Sequence, residues 1–208
     1  KGENIMGSRR LGRKRLYALG KVGETLTSTA GGGIEGNIGT QSRVRQGELV
    51  TTDITIDLAS SNGAANSFVT TGTGAGANKI IGVSSSSGTH SDAQIMQINK
   101  DAAAVDGIGL LVSAELICVE APTTGEDNIG VWYATNASGS GNDMHVGGTE
   151  LIPAQAMAVP KDSISADIDA DLDNKYLYLV SSGSTATNTY GAGKFVLRLY
   201  GYNVFDDV

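Results

Sequence analysis

Alternation of apolar and polar side chains with a period of two residues is the feature that most restricts how this chain can fold. Between Val50 and Leu58, apolar residues and Thr52 alternate with polar or charged residues. Successive side chains of a strand point to opposite faces, so this run predicts a strand with one buried and one wet face. Similar alternation recurs in six further runs, which are Lys79–Val83, Ala93–Asn99, Ile108–Val119, Asn128–Ala134, Lys175–Val180 and Gly193–Phe205. At least seven strands without helical periodicity predict an all-β chain, folded as an antiparallel β-sandwich of jelly-roll type.

Two of these runs have the composition of central strands. The run Ile108–Val119 has apolar residues in both alternating sets, which predicts a strand covered on both sides. One face is predicted to hold every second residue, namely Ile108, Leu110, Val112, Ala114, Leu116 and Cys118. The charged Glu115 then needs a partner or access to water. The runs Lys175–Val180 and Gly193–Phe205 are predicted to pair as a hairpin across Ser181–Ala192.

The sequence also predicts the environment of several single residues. The chain has one cysteine, so Cys118 cannot form an internal disulfide and is predicted to be a buried small hydrophobe. The sole tryptophan, Trp132, faces away from Val131 and Tyr133 on a strand, and we expect a core or intersubunit role for it rather than ligand stacking. The tyrosines near the end are candidates for an interface, and they are Tyr190, Tyr200 and Tyr202.

The segments between the runs indicate one domain with long surface loops. Ser60–Asn78, Ser84–Ser91 and Asn136–Gly148 are rich in small and polar residues, which satisfy turns but bury little surface. We predict an arm and a flexible glycine-rich connector over residues 1–40, followed by a single β-sandwich domain over residues 41–208. Because only 5% of the residues are aromatic, we expect loops and edge strands to be covered by other copies in a homo-oligomer, with a trimer favoured.

Charge is divided very unevenly along the chain. Residues 1–21, called the arm below, hold seven Lys and Arg against Glu3 alone and therefore carry +6. Residues 22–208 hold the other 8 Lys and Arg against 21 Asp and Glu and therefore carry −13. This asymmetry predicts an arm that docks on a negative partner and a body that repels its own copies at a distance.

The arm combines positive charge with apolar side chains. Its candidate docking residues are Arg9, Arg10, Leu11, Arg13, Lys14, Arg15, Leu16 and Tyr17. Guanidinium groups pair with carboxylates while the apolar side chains fill pockets, which favours docking on a protein. A nucleic-acid tail is the alternative, and a solvated terminus is a third reading. Tails that bind phosphates need less apolar content than this arm has.

No pattern in the sequence predicts catalysis or a cofactor. The aspartates Asp167, Asp169, Asp171 and Asp173 match the first half of a calcium-binding loop, but Leu172 occupies the position of its obligatory glycine. An exposed acidic edge is therefore the preferred interpretation, with calcium as a weak alternative. His90 and His145 have no cysteine or second histidine at the spacing of metal ligands. We expect a non-enzymatic protein without a metal or cofactor. No apolar run reaches the length of a membrane span, and no membrane partner is expected.

Three stretches resemble a family of virion structural proteins from tailed marine bacteriophages, especially cyanophages. They are the arm residues Ser8–Leu19, the segment Asn174–Leu179 and the closing segment Gly193–Gly201. The resemblance implies a small β-sandwich protein present in many copies on the virion, as a head decoration or cement protein. It implies the major capsid protein or other virion proteins as partners, and it implies no catalytic residues.

Two functions of other classes remain open at this point. A tail-fibre or receptor-binding protein would use the Gly, Ser and Thr loops to bind a cell-surface glycan. A shell-forming coat protein would use the arm to bind nucleic acid, with a strong dependence on salt.

Overall fold

Every regular element in the described part of the chain is a strand. A computed structural model describes residues 24–25, 38–58, 69–70, 79–82, 93–100, 107–123, 125–135, 148–182, 188–190 and 192–202. The strands are β1 (Glu24–Thr25), β2 (Ile38–Gln46), β3 (Leu49–Asp57), β4 (Val69–Thr70), β5 (Lys79–Ile80), β6 (Gln94–Gln97), β7 (Leu110–Thr123), β8 (Asn128–Ala134), β9 (Thr149–Ala156), β10 (Ser163–Asp167), β11 (Tyr176–Ser181), β12 (Asn188–Thr189) and β13 (Ala192–Tyr202). This confirms the predicted all-β class.

The strands form two main antiparallel sheets. The six-stranded sheet has the order β1-β2-β3-β13-β7-β10, and the five-stranded sheet has the order β5-β11-β8-β9, with β6 also paired to β11. From β3 onwards the chain alternates between the two sheets. The six-stranded sheet receives β3, β7, β10 and β13, and the five-stranded sheet receives β5 and β6, then β8 and β9, and then β11. This alternation between sheets is the strand order of a jelly roll, in agreement with the prediction.

The main core lies between the two sheets, where the predicted alternation places it. In β3, Val50, Ile54 and Ile56 are buried and the intervening residues are partly exposed. The side chains of Phe195, Leu197 and Leu199 from the neighbouring β13 belong to the same core. Burial of each large apolar side chain stabilises the fold by about 1.5–3 kcal/mol.

The hairpin predicted between the runs that form β11 and β13 is wrong. β13 pairs with β3 and β7 in the six-stranded sheet, whereas β11 pairs with β8 and β6 in the other sheet. The chain between them includes β12, which pairs with β4 instead. Alternation defines the two faces of a strand but does not identify its neighbours, and this is why the pairing was mispredicted.

The face predicted for β7 is also wrong at its start. Leu110 is exposed and Leu111 is buried, although Ala114, Leu116 and Cys118 are buried as expected. The register against β13 shifts between Tyr200 and Gly201, which is a β-bulge and reverses the alternation. The expectation that this strand is covered on both sides also fails, because Val119 is 48% exposed on the face away from the core.

The predicted connector contributes residues to the six-stranded sheet. β1 lies at the edge of this sheet, where Glu24 pairs with Arg43 and Thr25 pairs with Ser42. β2 begins at Ile38 and continues to Gln46, and a two-residue turn at Gly47 leads into β3. Gly47 has φ 65°, the left-handed conformation that glycine adopts most easily at the first position of such a turn. The division at residue 40 stays a prediction.

Candidate interaction surface

The docking residues predicted in the arm lie outside the described residues. The first described strand after the arm is β1, at the edge of the six-stranded sheet. β1 runs antiparallel to β2, so its N-terminal end points towards the turn at Gly47. The described residues that follow the arm therefore begin at the sheet edge.

The outer face of the six-stranded sheet, meaning the face away from the core, carries a row of paired charges. Arg198 of β13 lies between Asp53 of β3 and Glu115 of β7 in the strand register. Its Nε donates to Asp53 Oδ1 at 2.7 Å and its Nη2 donates to Asp53 Oδ2 at 2.9 Å. Its Nη1 lies 4.0 Å from Glu115 Oε2, which also accepts a hydrogen bond from the Tyr200 hydroxyl at 3.5 Å. Arg198 and Tyr200 are thus the partners that the charged Glu115 was predicted to need.

A second ion pair lies two rows along the same two strands, beyond the row of Val196 and Thr55. Lys194 Nζ is 3.1 Å from Asp57 Oδ2, and these residues are direct register partners. The hydrogen bonds that Arg198 donates to Asp53 are the main cause that raises the pKa of Arg198 above its ordinary value. The Arg198 guanidinium therefore stays charged between the carboxylates of the two neighbouring strands. The arrangement joins three strands electrostatically and contains no nucleophile beside a base.

Exposed apolar side chains share this outer face with the ion pairs. Among the described residues, four large apolar side chains are exposed, and three of them lie on β7 and β13: Leu110 at 39%, Val119 at 48% and Tyr202 at 46%. Leu110 and Tyr202 are register partners, and Leu49 pairs with Tyr202 from the other side. They form an apolar row at the end of the sheet where the turn at Gly47 also lies. Tyr200 and Tyr202 thus remain candidates for an interface.

The outer face of the five-stranded sheet is different along the middle of β11, where outward side chains are buried. Tyr178 and Val180 of β11 point away from the main core, yet both are fully buried. They form a second cluster with Ile80, Ala93 and Ala134, against which Trp132 and Tyr176 pack. Val131 faces the main core, so the two sides of β8 serve two apolar clusters. Burial raises the pKa of the Tyr178 hydroxyl.

The calcium interpretation of the acidic series finds no support in the geometry. β10 ends at Asp167, and Lys100 Nζ contacts Asp171 Oδ2 at 3.2 Å and Asp173 Oδ2 at 3.7 Å. The backbone amide of Asp173 and then Lys100 lower the pKa of Asp171. Asp169 is exposed beyond the strand. Within the described ranges, no group of three His, Cys, Asp or Glu residues is placed to hold a metal ion.

Tyr190 is a core residue, which corrects its prediction as an interface candidate. It is 2% exposed, and its hydroxyl donates to the backbone oxygen of Glu126 at 2.9 Å. Its ring lies so close to Gly125 that a Cβ there would overlap it. Cys118 is buried as predicted, with Sγ 3.5 Å from the backbone oxygen of Met157.

No known protein family, curated protein or solved structure matched this chain in comparison. The described part of the chain contains no helix long and apolar enough to cross a membrane.

Proposed function

We propose that this protein is a non-enzymatic virion structural protein, and specifically a capsid decoration or cement protein. Its arm and its body each contact the capsid, and together they clamp neighbouring subunits of the major capsid protein. The observation that carries the proposal is the entry of the chain at β1, the edge strand of an acidic jelly-roll body, directly after a strongly basic arm. The resemblance of three segments to virion proteins of tailed marine bacteriophages supports the same role.

Attachment at a sheet edge suits an arm that reaches a neighbouring subunit. In this sequence 23 residues precede Glu24, and a chain of that length spans at most about 75–80 Å when fully extended. A compact body of the remaining residues has a radius of gyration of about 16 Å, so an extended arm can contact a capsid subunit that the body does not touch. Linking two contacts through one chain makes the second contact intramolecular and raises the overall affinity.

The body contributes rigidity and surface instead of chemistry. Jelly-roll sandwiches occur in viral capsid proteins and also in lectins, so the fold alone does not select among these functions. The arm favours a function in which this protein binds another protein. Its apolar residues Leu11, Leu16 and Tyr17 fit protein pockets better than phosphates. We therefore place the protein on the outside of the shell, in the assembled virion.

A shell-forming coat protein is the second candidate, and a specific observation favours it. A basic N-terminal arm joined to a jelly roll provides both a wall and an internal segment that neutralises packaged nucleic acid. The two candidates differ in what the arm binds, which makes them separable by experiment.

The test is binding of the intact protein, and of a variant without residues 1–21, to two probes in parallel. The probes are expanded capsids of the parent phage that lack this protein, and double-stranded DNA. The decoration role predicts capsid binding that is lost with the arm. Arm-dependent DNA binding without capsid affinity would overturn this role and establish the coat protein.

Two matched variants separate the contribution of the arm's positive charges from that of its apolar side chains. One replaces the five cations Arg9, Arg10, Arg13, Lys14 and Arg15 by Gln, and the other replaces Leu11, Leu16 and Tyr17 by Ser. Docking in protein pockets predicts that both variants lose capsid binding. Phosphate binding predicts that only the Gln variant loses affinity, with the salt slope reduced by roughly one for each phosphate contact removed.

A further inference from the structure

We infer that the outer edge of β10 binds the arm of a second copy of this chain, which adds to the six-stranded sheet as one more strand. The arm segment that pairs is Arg13–Leu19, and the segment that receives it is Ser163–Asp169. The inference goes beyond the proposed function because it concerns the protein before it meets a capsid, which then takes up the same arm.

The first argument is the direction of the backbone groups of β10. β10 pairs with β7 in an uninterrupted antiparallel register, and the Ile168 amide donates to the backbone oxygen of Val112 at 2.9 Å. Backbone groups alternate in direction along an antiparallel strand, so the even-numbered residues bond to β7. The amides and carbonyls of Ser163, Ser165 and Asp167 therefore point away from β7, where an added strand can bond to them.

The second argument is that this edge is open to another strand. Among the described edge strands, β10 is the longest one without a proline, because β9 contains Pro153 and β1, β5 and β6 are shorter than β10. Proline and short length are two of the devices that prevent strand addition. Ser163, Ser165 and Asp167 are exposed along the edge. Within the described ranges, β10 is thus the edge best suited to receive a strand.

The third argument is the apolar side of the same edge. Ile164, Ala166 and Ile168 are only partly buried where they pack against the border of the main core. A strand added beside β10 covers them if it carries apolar side chains at every second position. The arm has Leu16 and Ala18 at this spacing.

The fourth argument is that the charges of the two segments match in register. Asp167 and Asp169 are exposed and two residues apart, and Arg13 and Arg15 have the same spacing in the arm. An antiparallel pairing that places Arg15 opposite Asp167 also places Arg13 opposite Asp169, and opposite charges at such positions stabilise a strand pair. The same register pairs the apolar residues of the two segments, Leu16 with Ala166 and Ala18 with Ile164.

The reach of the arm selects a second copy as the acceptor. β1 and β10 are the opposite edges of the six-stranded sheet, so five strand spacings of about 4.8 Å, or about 24 Å, separate them. The chain from Leu19 to Glu24 spans at most about 18 Å when fully extended. Leu19 therefore cannot lie beside β10 of its own body, whereas the edge of a neighbouring copy can approach β1.

This contact is head-to-tail, because the donor and the acceptor lie at opposite edges of one sheet. A head-to-tail contact produces a closed ring when the rotation between copies closes. The inference therefore agrees with the trimer expected from the sequence and disagrees with a two-fold dimer.

The first experiment is sedimentation equilibrium of the full chain over a wide range of protein concentrations. Ser165→Pro removes an amide that points to the edge and none that bonds to β7. Ser165→Ala keeps this amide and is the matched control. We expect Ser165→Pro to raise the dissociation constant by about 30-fold or more, and Ser165→Ala to change it by less than about threefold.

The second experiment reverses the charges in the same assay at low salt. The arm variant is Arg13→Glu, Arg15→Glu and the edge variant is Asp167→Lys, Asp169→Lys. We expect each to raise the dissociation constant by about tenfold or more, and the variant with all four changes to return to within about threefold of the wild type. The control for net charge is Glu48→Lys, Glu120→Lys at exposed positions away from β10, which should change the constant by less than about threefold.

Circular dichroism melting verifies that each variant folds, and the charge reversals test the inference if Ser165→Pro does not fold. A monomeric wild type overturns the inference. It is also overturned if folded Ser165→Pro associates like the wild type, or if the four-residue variant stays dissociated. An oligomer without capsid affinity contradicts the proposed function alone, whereas a monomer that binds capsids contradicts only this inference.

Discussion

Loss of the Arg198 side chain is expected to uncouple three strands of the six-stranded sheet. Arg198→Met keeps the apolar part of the side chain and removes the guanidinium group. Asp53 then loses two hydrogen bonds of 2.7 and 2.9 Å, and Glu115 loses its neighbouring cation. Because Asp53 and Glu115 flank the same position of β13, the variant leaves two carboxylates about 10 Å apart without the cation between them.

The magnitude follows from the geometry and exposure of the pair. Hydrogen bonds to charged groups contribute about 1.5–3 kcal/mol when shielded from water, whereas exposed ion pairs contribute about 0–1 kcal/mol. The side chains of Arg198 and Asp53 are 34% and 31% exposed. Two parallel bonds with partial solvent screening therefore predict a coupling energy of about 1–2 kcal/mol. For the single contact between Lys194 and Asp57, at 38% and 33% exposure, we expect about 0.5 kcal/mol.

The assay is urea unfolding of two double-mutant cycles at one protein concentration, because the apparent stability of an associating protein depends on its concentration. The first cycle combines Arg198→Met with Asp53→Asn. The second combines Lys194→Met with Asp57→Asn and is the matched control on the same two strands. High salt is expected to weaken the second coupling more than the first. A coupling for Arg198 and Asp53 no larger than that of the control pair would refute the reasoning.

Three further outcomes are expected for buried positions. Gly201→Ala places a Cβ against the backbone oxygen of Ile108 and is predicted to lower the unfolding free energy in urea by at least about 3 kcal/mol. Tyr190→Phe removes the hydrogen bond that the Tyr190 hydroxyl donates to the backbone oxygen of Glu126, and it should cost about 1–2 kcal/mol in the same assay. Burial raises the pKa of Tyr190 above its ordinary 10.0. The contribution of Tyr190 to the free energy of unfolding is therefore complete below pH 10.0 and is lost as the pH rises further. Above pH 10.0, the urea midpoint of the Phe variant should fall less steeply with pH than that of the wild type. Cys118 is buried, and desolvation is the main cause that raises the pKa of its thiol. Ellman's reagent should therefore react with Cys118 at least about 100-fold faster after denaturation than in the folded protein.

The sequence predicts well the strands that are marked by strict alternation or by a compact apolar run. The run Val50–Leu58 becomes β3 and the run Asn128–Ala134 is β8, because strict alternation or a compact apolar run is readable without knowing the neighbours. β9 and β10 were not predicted. They are edge strands whose outward residues include Pro153 and several small polar residues, and their alternation is too weak to distinguish from a loop.

Strand pairing was the part that alternation did not reveal, although one usable signal was present. Asp53 and Asp57 are four residues apart on the polar face of β3, and Lys194 and Arg198 are four apart on β13. In an antiparallel pair these opposite charges match at both positions, as the register shows. Matching them identifies β3 as one neighbour of β13. The bulge opposite Gly201 has no comparable signal in β7 itself.

Cryo-electron microscopy of expanded capsids reconstituted with the intact protein tests the proposed role most directly. The account predicts β-sandwich density on the outer surface of the shell, with the arm continuing onto a neighbouring capsid subunit. A sandwich that forms the shell wall itself, with the arm directed towards the packaged nucleic acid, would contradict it.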